Sequence, residues 1–212
     1  VLMRARLAWL LPLGLAVGCV TTEPMRRVAL DDTCVASVGQ LTAHPAFVPD
    51  PAEPKRKPRQ AQFADYAGCL ERDGDRTGAA LFRIDQVPAP STVTLTIVSD
   101  PRGTLAARVE LLDEGFKVVR SHRFDEFVRR GSQYSLDMFH NAGDPPVRYL
   151  LVSPDAASVG EVDQQMSSQM QTLFVGTGFY MHGTENVSNR PLGDAGNLVV
   201  SVRPQGSTPL KN

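Results

Sequence analysis

The sequence predicts an all-β protein, an antiparallel β-sandwich of the jelly-roll-like kind with one packed helix and a disulfide-closed N-terminal extension. Short runs rich in β-branched, aromatic and aliphatic residues recur at 79–84, 92–98, 106–112, 116–124, 132–139, 147–153 and 197–203. In the second run Val93, Leu95 and Ile97 alternate with threonines, which is the period expected of a half-buried strand. Turn residues separate the runs, as at 100–103 and 113–115. Short strands at this spacing predict a sandwich domain over residues 79–204.

One segment of the predicted domain has a different period. Its apolar residues fall at spacings of three and four: Val159, Val162, Met166, Met170 and Leu173. That spacing predicts a helix over about 154–173, with an apolar face packed on the sandwich. The methionines favour a buried stripe, with an adaptable binding surface as the alternative.

The first eighteen residues have the features of an export signal. Arg4 and Arg6 precede an apolar stretch over 7–17, and Gly18 comes before the first cysteine. A basic flank, a short apolar stretch and a small residue describe a secretory signal peptide over 1–18. The apolar stretch is shorter than the ~20 residues of a membrane-spanning helix.

The run that ends at Cys19 resembles the lipobox of bacterial lipoproteins, with Leu15, Ala16, Val17 and Gly18 before the cysteine. The resemblance implies cleavage before Cys19, acylation of its thiol and amine, and a stable lipid anchor. The following residue is not Asp, which by the sorting rules of that family implies the outer membrane, with the protein facing the periplasm. An ordinary signal peptide with a chance cysteine is the alternative. Residues 19–33 are then a tether.

Charge and the remaining cysteines constrain the partners. Loss of residues 1–18 removes two arginines and lowers the net charge from −1 to −3, so a nucleic-acid partner is not expected. In an oxidising compartment Cys34 and Cys69 are expected to form a disulfide worth ~4 kcal/mol, whereas a metal site would need more ligands than His44. The extension over 34–78 contains a proline-rich basic loop, expected to be solvated although anionic lipid head groups are an alternative contact. Residues 205–212 are a C-terminal tail.

Four runs in the predicted domain resemble the maltose operon periplasmic protein family. They are ALFRI at 80–84, LTI at 95–97, VELLDEGF at 109–116 and YLLV at 149–152, and the last strand at 197–203 also fits. The resemblance covers roughly half of the chain after the signal. It implies an exported envelope protein connected with maltose and maltodextrin use, and no catalytic residues are established for that family.

No catalytic or metal-binding motif is evident. There is no Gly-x-Ser-x-Gly elbow, and the four histidines are widely spread. Asp73 and Asp75 flank Gly74, which is more typical of a tight turn than of a calcium loop. The sequence therefore predicts no enzyme, no cofactor and no metal, with a hydrolase whose site is not legible as the minor alternative.

Four residues form the one candidate for ligand binding: Phe174, Phe179, Tyr180 and His182. Aromatic rings beside polar groups suit a sugar or a protein partner, and a crossover loop whose aromatics close one end of the sandwich is the alternative. We therefore expect a lipid-anchored accessory protein of the bacterial envelope that binds a glycan or a partner protein. The alternative is a structural subunit or assembly factor of an envelope machine, such as a pilus, secretion or surface-anchoring complex.

Overall fold

A computed structural model describes residues 26–30, 33–50, 52–53, 56–100, 102–175 and 178–205. The predicted signal peptide over 1–18, Cys19 and most of the predicted tether lie outside these residues, as does the predicted tail after residue 205. Fourteen strands follow one another in the described part of the chain. They are β1 (Ala43–Pro45), β2 (Ala61–Gln62), β3 (Ala67–Arg72), β4 (Asp75–Arg83), β5 (Ser91–Val98), β6 (Thr104–Leu105), β7 (Ala107–Leu112), β8 (Val118–His122), β9 (Val128–Arg130), β10 (Gln133–His140), β11 (Tyr149–Pro154), β12 (Val162–Val175), β13 (Gly178–Gly193) and β14 (Asn197–Pro204).

Two sheets form the body of the molecule, and the prediction of an antiparallel sandwich is confirmed. The first sheet has the order β1-β4-β11-β7-β8, with β3 also paired to β4. The second has the order β2-β14-β5-β10-β9. All the pairs within them are antiparallel except that of β1 with β4. The chain crosses repeatedly between the sheets, as in jelly-roll-like sandwiches.

The core lies between the facing sides of the two sheets. Val93, Leu95 and Ile97 of β5 are buried, and the threonines between them are half-buried, which confirms the period-two prediction for this strand. From the opposite sheet, Val109 of β7 and Leu150 of β11 pack into the same cluster. Burial of alternate residues from both sheets is what stabilises a sandwich.

The first sheet is also covered on its outer side. Its outward residues Leu81, Leu112 and Leu151 pack with Val38 and Leu70 in a second, smaller cluster. The segment before β4 supplies this cover, and the predicted disulfide between Cys34 and Cys69 is present there, with the two Cα atoms 4.5 Å apart. A sheet buried on both faces explains the nearly continuous apolar runs of β4, β7 and β11.

The turn before β4 has the geometry that its residues predict. Asp73 and Gly74 both have positive φ, 56° and 88°, and they join β3 to β4 as a two-residue hairpin turn. Asp and Gly are the residues that tolerate this conformation. The preference for a tight turn over a calcium loop is thus consistent with the structure.

The predicted helix over about 154–173 is wrong. Residues up to Pro154 belong to β11, and β12 covers most of the remainder. Val162, Met166 and Met170 are four residues apart, and a spacing of four satisfies a strand as well as a helix because it is a multiple of two. The helical elements of the described chain are three-residue 3-10 turns, at Val38–Gln40, Phe63–Asp65 and Phe124–Glu126. Within the described residues no helix is long and apolar enough to cross a membrane.

Candidate functional site: a long β-hairpin

The hairpin of β12 and β13 is the feature that sets this sandwich apart. Its strands have 14 and 16 residues and pair from Val162 opposite Pro191 to Val175 opposite Gly178. At ~3.4 Å per residue the paired part is about 45 Å long. Most strands in globular proteins have about five or six residues. The hairpin is therefore much longer than a connection between β11 and β14 requires.

One face of the hairpin exposes apolar side chains along its length. Val162, Met166 and Met170 of β12 are 57%, 73% and 68% exposed, and Met181 and Val187 of β13 are 50% and 59% exposed. Residues opposite each other in an antiparallel pair share a face, and Val187 lies opposite Met166 while Met181 lies opposite Thr172. The five side chains therefore form one stripe, which we call the methionine face. Exposed apolar patches of this kind mark interaction sites.

The edges of the hairpin are open over most of their length. In the described chain the small sheet has the order β12-β13-β6, so β12 is an edge strand. The outer edge of β13 pairs with β6 only through Leu192 and Gly193. No Asp, Glu, Lys or Arg lies between Asp163 and Glu185. Natural edge strands usually carry charges that prevent pairing with other chains, and this segment lacks them.

The root of β12 is fixed to the second sheet by one carboxylate. Asp163 accepts a hydrogen bond from the hydroxyl of Tyr134 in β10 and pairs with Arg129 of β9 at 3.2 Å. Nη1 of Arg129 also donates to the carbonyl of Gln164, at 3.1 Å. Burial and the bond to Asp163 together raise the pKa of the Tyr134 hydroxyl, so this hydroxyl stays protonated and continues to donate.

The root of β13 is fixed by backbone contacts. The amide of Leu192 donates to the carbonyl of Glu161 at 2.8 Å, and the amide of Gly160 donates to the carbonyl of Leu192 at 2.9 Å. The Cβ of a residue at 103 would lie 3.3 Å from the carbonyl oxygen of Pro191, and Gly103 has a φ of 151°, so glycine suits this close approach. Both strands therefore leave the sandwich from a rigid base.

The four residues predicted to bind a ligand lie near the tip of this hairpin. Phe174 is opposite Phe179, Leu173 is opposite Tyr180, and Gln171 is opposite His182. The register therefore places the four predicted residues among the strand pairs nearest the end of the hairpin. Their side chains lie outside the described part of the structure. A crossover loop, the alternative for this segment, is not what the backbone forms.

An exposed aromatic residue lies on the sandwich itself. Phe139 in β10 is 57% exposed, and Nη1 of Arg120 donates to its carbonyl at 3.2 Å. Arg120 also approaches Asp144 to 4.0 Å, and these residues line a shallow depression together with His140. Phe139 shares its parity in β10 with the exposed Asp137, so the sequence alone could have identified an outward-facing ring here.

Two buried carboxylates have structural partners. The side chain of Glu110 is 5% exposed and contacts Arg72 at 3.0 Å and Arg108 at 3.2 Å. Asp155 accepts bonds from the backbone amides of Phe124 and Ala157, at 3.2 and 3.3 Å. These contacts satisfy both groups within the fold. In the residues that the structure describes, no cluster of three or more His, Cys, Asp or Glu could hold a metal ion.

Comparison with known proteins gives no relative. No family model, no curated protein and no solved structure matches the chain. The hairpin and the depression near Phe139 must therefore be interpreted from their own chemistry.

Proposed function

We propose that this chain is an exported, lipid-anchored accessory protein of the bacterial envelope, not an enzyme, and that it binds a partner protein through the hairpin. The observation that carries the proposal is the methionine face, an exposed apolar stripe on a ribbon about 45 Å long. The sandwich holds the ribbon at its root, and the ribbon presents its surface to a partner.

The composition of the hairpin defines the kind of partner. Methionine side chains are flexible and adapt to irregular apolar surfaces. No acidic or basic residue lies between Asp163 and Glu185, and Glu185, opposite Ser168, is the one charged register position beside Met166 and Met170. Recognition therefore depends mainly on apolar contacts and backbone hydrogen bonds, and a largely apolar protein surface is the complement of such a ribbon.

The disulfide supports the exported location. Disulfides persist in oxidising compartments such as the periplasm and are rare in the cytosol. The Cys34–Cys69 bond agrees with the signal peptide and with Cys19 as an acylated residue.

Labelled palmitate should enter the wild-type protein and should not enter a Cys19→Ala variant. Equal labelling of both would contradict the anchor and leave the hairpin proposal untouched.

The partner-binding role can be tested with a shortened hairpin. Asp163 and Arg190 are opposite each other, so replacing residues 164–189 by Asn-Gly closes a two-residue turn and keeps the contacts of Asp163.

A photo-crosslinking residue at position 187, opposite Met166, should give one reproducible protein adduct in intact cells. The adduct should disappear in a Met166→Ser, Met170→Ser variant. The shortened chain, lacking position 187, should fold like wild type.

The control for these variants is Val128→Ser. Val128 is 56% exposed on β9, so its replacement removes a comparable apolar side chain from the sandwich and leaves the hairpin intact. The adduct should persist in this variant. An adduct of unchanged yield in the methionine variant would refute binding through the methionine face. A pilus or secretion component in the adduct would favour the assembly-factor form of the proposal.

A glycan is the second candidate ligand, and the surface around Phe139 favours it. An exposed ring beside Arg120, His140 and Asp144 offers stacking and hydrogen bonding, the two contacts that sugars use. The resemblance to the maltose operon family favours a maltodextrin. Isothermal titration should then give heat that a Phe139→Ala variant lacks and a Val128→Ala variant keeps. No heat at millimolar maltodextrin would exclude this candidate.

A further inference from the structure

We propose that β12 pairs edge to edge with β12 of a second copy of this chain, antiparallel and centred on Ser168. The inference rests on the hairpin as the binding element of the proposed function. It concerns a different surface, because the pairing uses the open edge of β12 and leaves the methionine face uncovered. The result is a four-stranded ribbon with two sandwiches at opposite ends.

The free edge is the first step of the inference. β12 pairs only with β13 in the described chain, so its other edge has no strand partner there, and the Gln164 carbonyl near the root accepts from Arg129. A two-stranded ribbon is marginally stable by itself, and a third or fourth strand supplies the missing hydrogen bonds. A strand of matching length and composition satisfies these groups best.

The central part of β12 is uncharged and partly symmetric about Ser168, since two of its residue pairs are identical. In an antiparallel pairing about that residue, Gln165 lies opposite Gln171 of the second copy, and Met166 lies opposite Met170. The flanking positions 164 and 172 bring Gln opposite Thr. Because a two-fold axis perpendicular to the sheet keeps each face on its own side, the two methionine faces join into one wider face.

The charges select this edge over that of β13. Over residues 164–172 there is no charged residue, so no like charges meet in the symmetric pairing. The strand β13, between β12 and β6, carries Glu185 and Arg190, contains Pro191 and ends at Gly193, where it pairs with β6. A proline has no amide to donate, and charges on an edge oppose pairing. An uncharged strand matches an uncharged strand, and β12 of a second copy is such a strand.

The symmetry gives a direct test, since residue 168 lies opposite itself. The full chain is co-expressed with two different C-terminal affinity tags, and the fraction of one tagged form that co-purifies with the other is measured. Wild-type chains should co-purify. All variants carry Glu185→Gln, which removes the charge opposite residue 168 in the same hairpin. In that background Ser168→Lys in both copies should reduce the fraction about tenfold, and so should Ser168→Asp in both, because like charges then meet at the axis. Ser168→Lys with Ser168→Asp should restore it.

The control is Gly183→Lys, which puts the same charge on the other strand. A Cβ at Gly183 meets no atom within 4 Å, so the variant should fold and co-purify like wild type. Unchanged thermal unfolding of the Ser168 variants confirms that their sandwich is intact.

Three results would overturn the pairing: wild-type copies that do not co-purify, Lys variants that co-purify fully, or a Lys and Asp mixture that does not recover. In any of these cases a protein adduct at position 187 that depends on Met166 and Met170 would leave the proposed function standing, with a different protein as the occupant. Loss of that adduct together with normal self-pairing would refute the proposed function alone.

Discussion

The hydroxyl of Tyr134 donates a hydrogen bond to the carboxylate of Asp163, and this contact joins the second sheet of the sandwich to the start of β12 in the hairpin. Tyr134 is a core residue of β10, and its ring packs against Phe124. The Tyr134 hydroxyl is therefore one of the contacts, together with Arg129 and the backbone bonds of Leu192, that hold the base of the hairpin on the sandwich.

Tyr134→Phe should loosen the root of the hairpin and spare the sandwich. The ring stays in the core, while Asp163 loses one donor and keeps Arg129, so unfolding free energy should fall by only ~0.5–1.5 kcal/mol. Hydrogen exchange of β12 and β13 should accelerate. The amides of β5 in the same sample provide the internal control. Equal protection of the hairpin in both proteins would show that the hydroxyl has no part in holding it.

Asp155→Asn should remove a pH-dependent part of the stability. Burial alone would raise the pKa of Asp155, but the amides of Phe124 and Ala157 and the Arg123 guanidinium outweigh it, and the pKa is lowered. A lowered pKa stabilises the fold above the unfolded value, about 3.9, and this contribution is lost as the pH falls through the folded value.

Urea unfolding should therefore show wild type more stable than the Asp155→Asn variant by ~1–3 kcal/mol near pH 7. The difference should shrink as the pH falls below the unfolded value and through the lowered pKa of the folded state, where the carboxyl of the wild type becomes protonated. Asp125→Asn, at an exposed position in the neighbouring 3-10 turn, is the control and should change little. A difference that is constant with pH would mean that the charge of Asp155 is not involved.

Glu110→Gln should lower the stability of the first sheet, because Glu110 of β7 is paired with Arg72 of β3 and Arg108 of β7. The carboxylate is buried between Arg72 and Arg108, whose side chains are 44% and 48% exposed. Water can therefore replace part of the lost ion pairing, and the expected cost is about 1–3 kcal/mol. Glu71→Gln is the matched control, since Glu71 is half-exposed beside Arg76 and should cost ~0–1 kcal/mol. Equal midpoints for the two variants would contradict a special role for Glu110.

Gly196→Ala should strain the start of β14. A Cβ there would lie 2.7 Å from the backbone nitrogen of Leu105 and 2.8 Å from its Cβ, and backbone cannot move aside cheaply. Overpacking of this kind costs ~1–3 kcal/mol. Gly143→Ala, whose added Cβ meets no atom within 4 Å, should leave the thermal midpoint nearly unchanged. A normal midpoint for Gly196→Ala would show that the β6 segment can shift.

The sandwich could be predicted because its strands bury one face. β5 alternates buried and half-buried residues along its whole length, and the same pattern in the sequence identifies it. The disulfide could also be predicted, since Cys34 and Cys69 remain as a pair once Cys19 is assigned to the lipid.

The hairpin could not be predicted in the same way because its apolar residues on the methionine face are exposed and not buried. Met166 and Met170 are apolar at a spacing that fits helix and strand alike, and burial of methionine is the commoner case. A usable signal was present in the alternate positions, where Gln165, Gln169 and Gln171 are polar while Met166 and Met170 are apolar. Gly176 and Gly178 mark a turn between two such segments.

The Cys34–Cys69 bond affects when the molecule becomes complete. Until the two thiols join, the segment that holds Val38 and Leu70 over the first sheet is tied down only by its own contacts, and it can lift away from Leu81 and Leu112. A chain with reduced thiols would then expose the apolar side chains of Leu81 and Leu112 even though its inner core has formed. In an oxidising compartment, formation of the disulfide would therefore complete the outer cover of the first sheet.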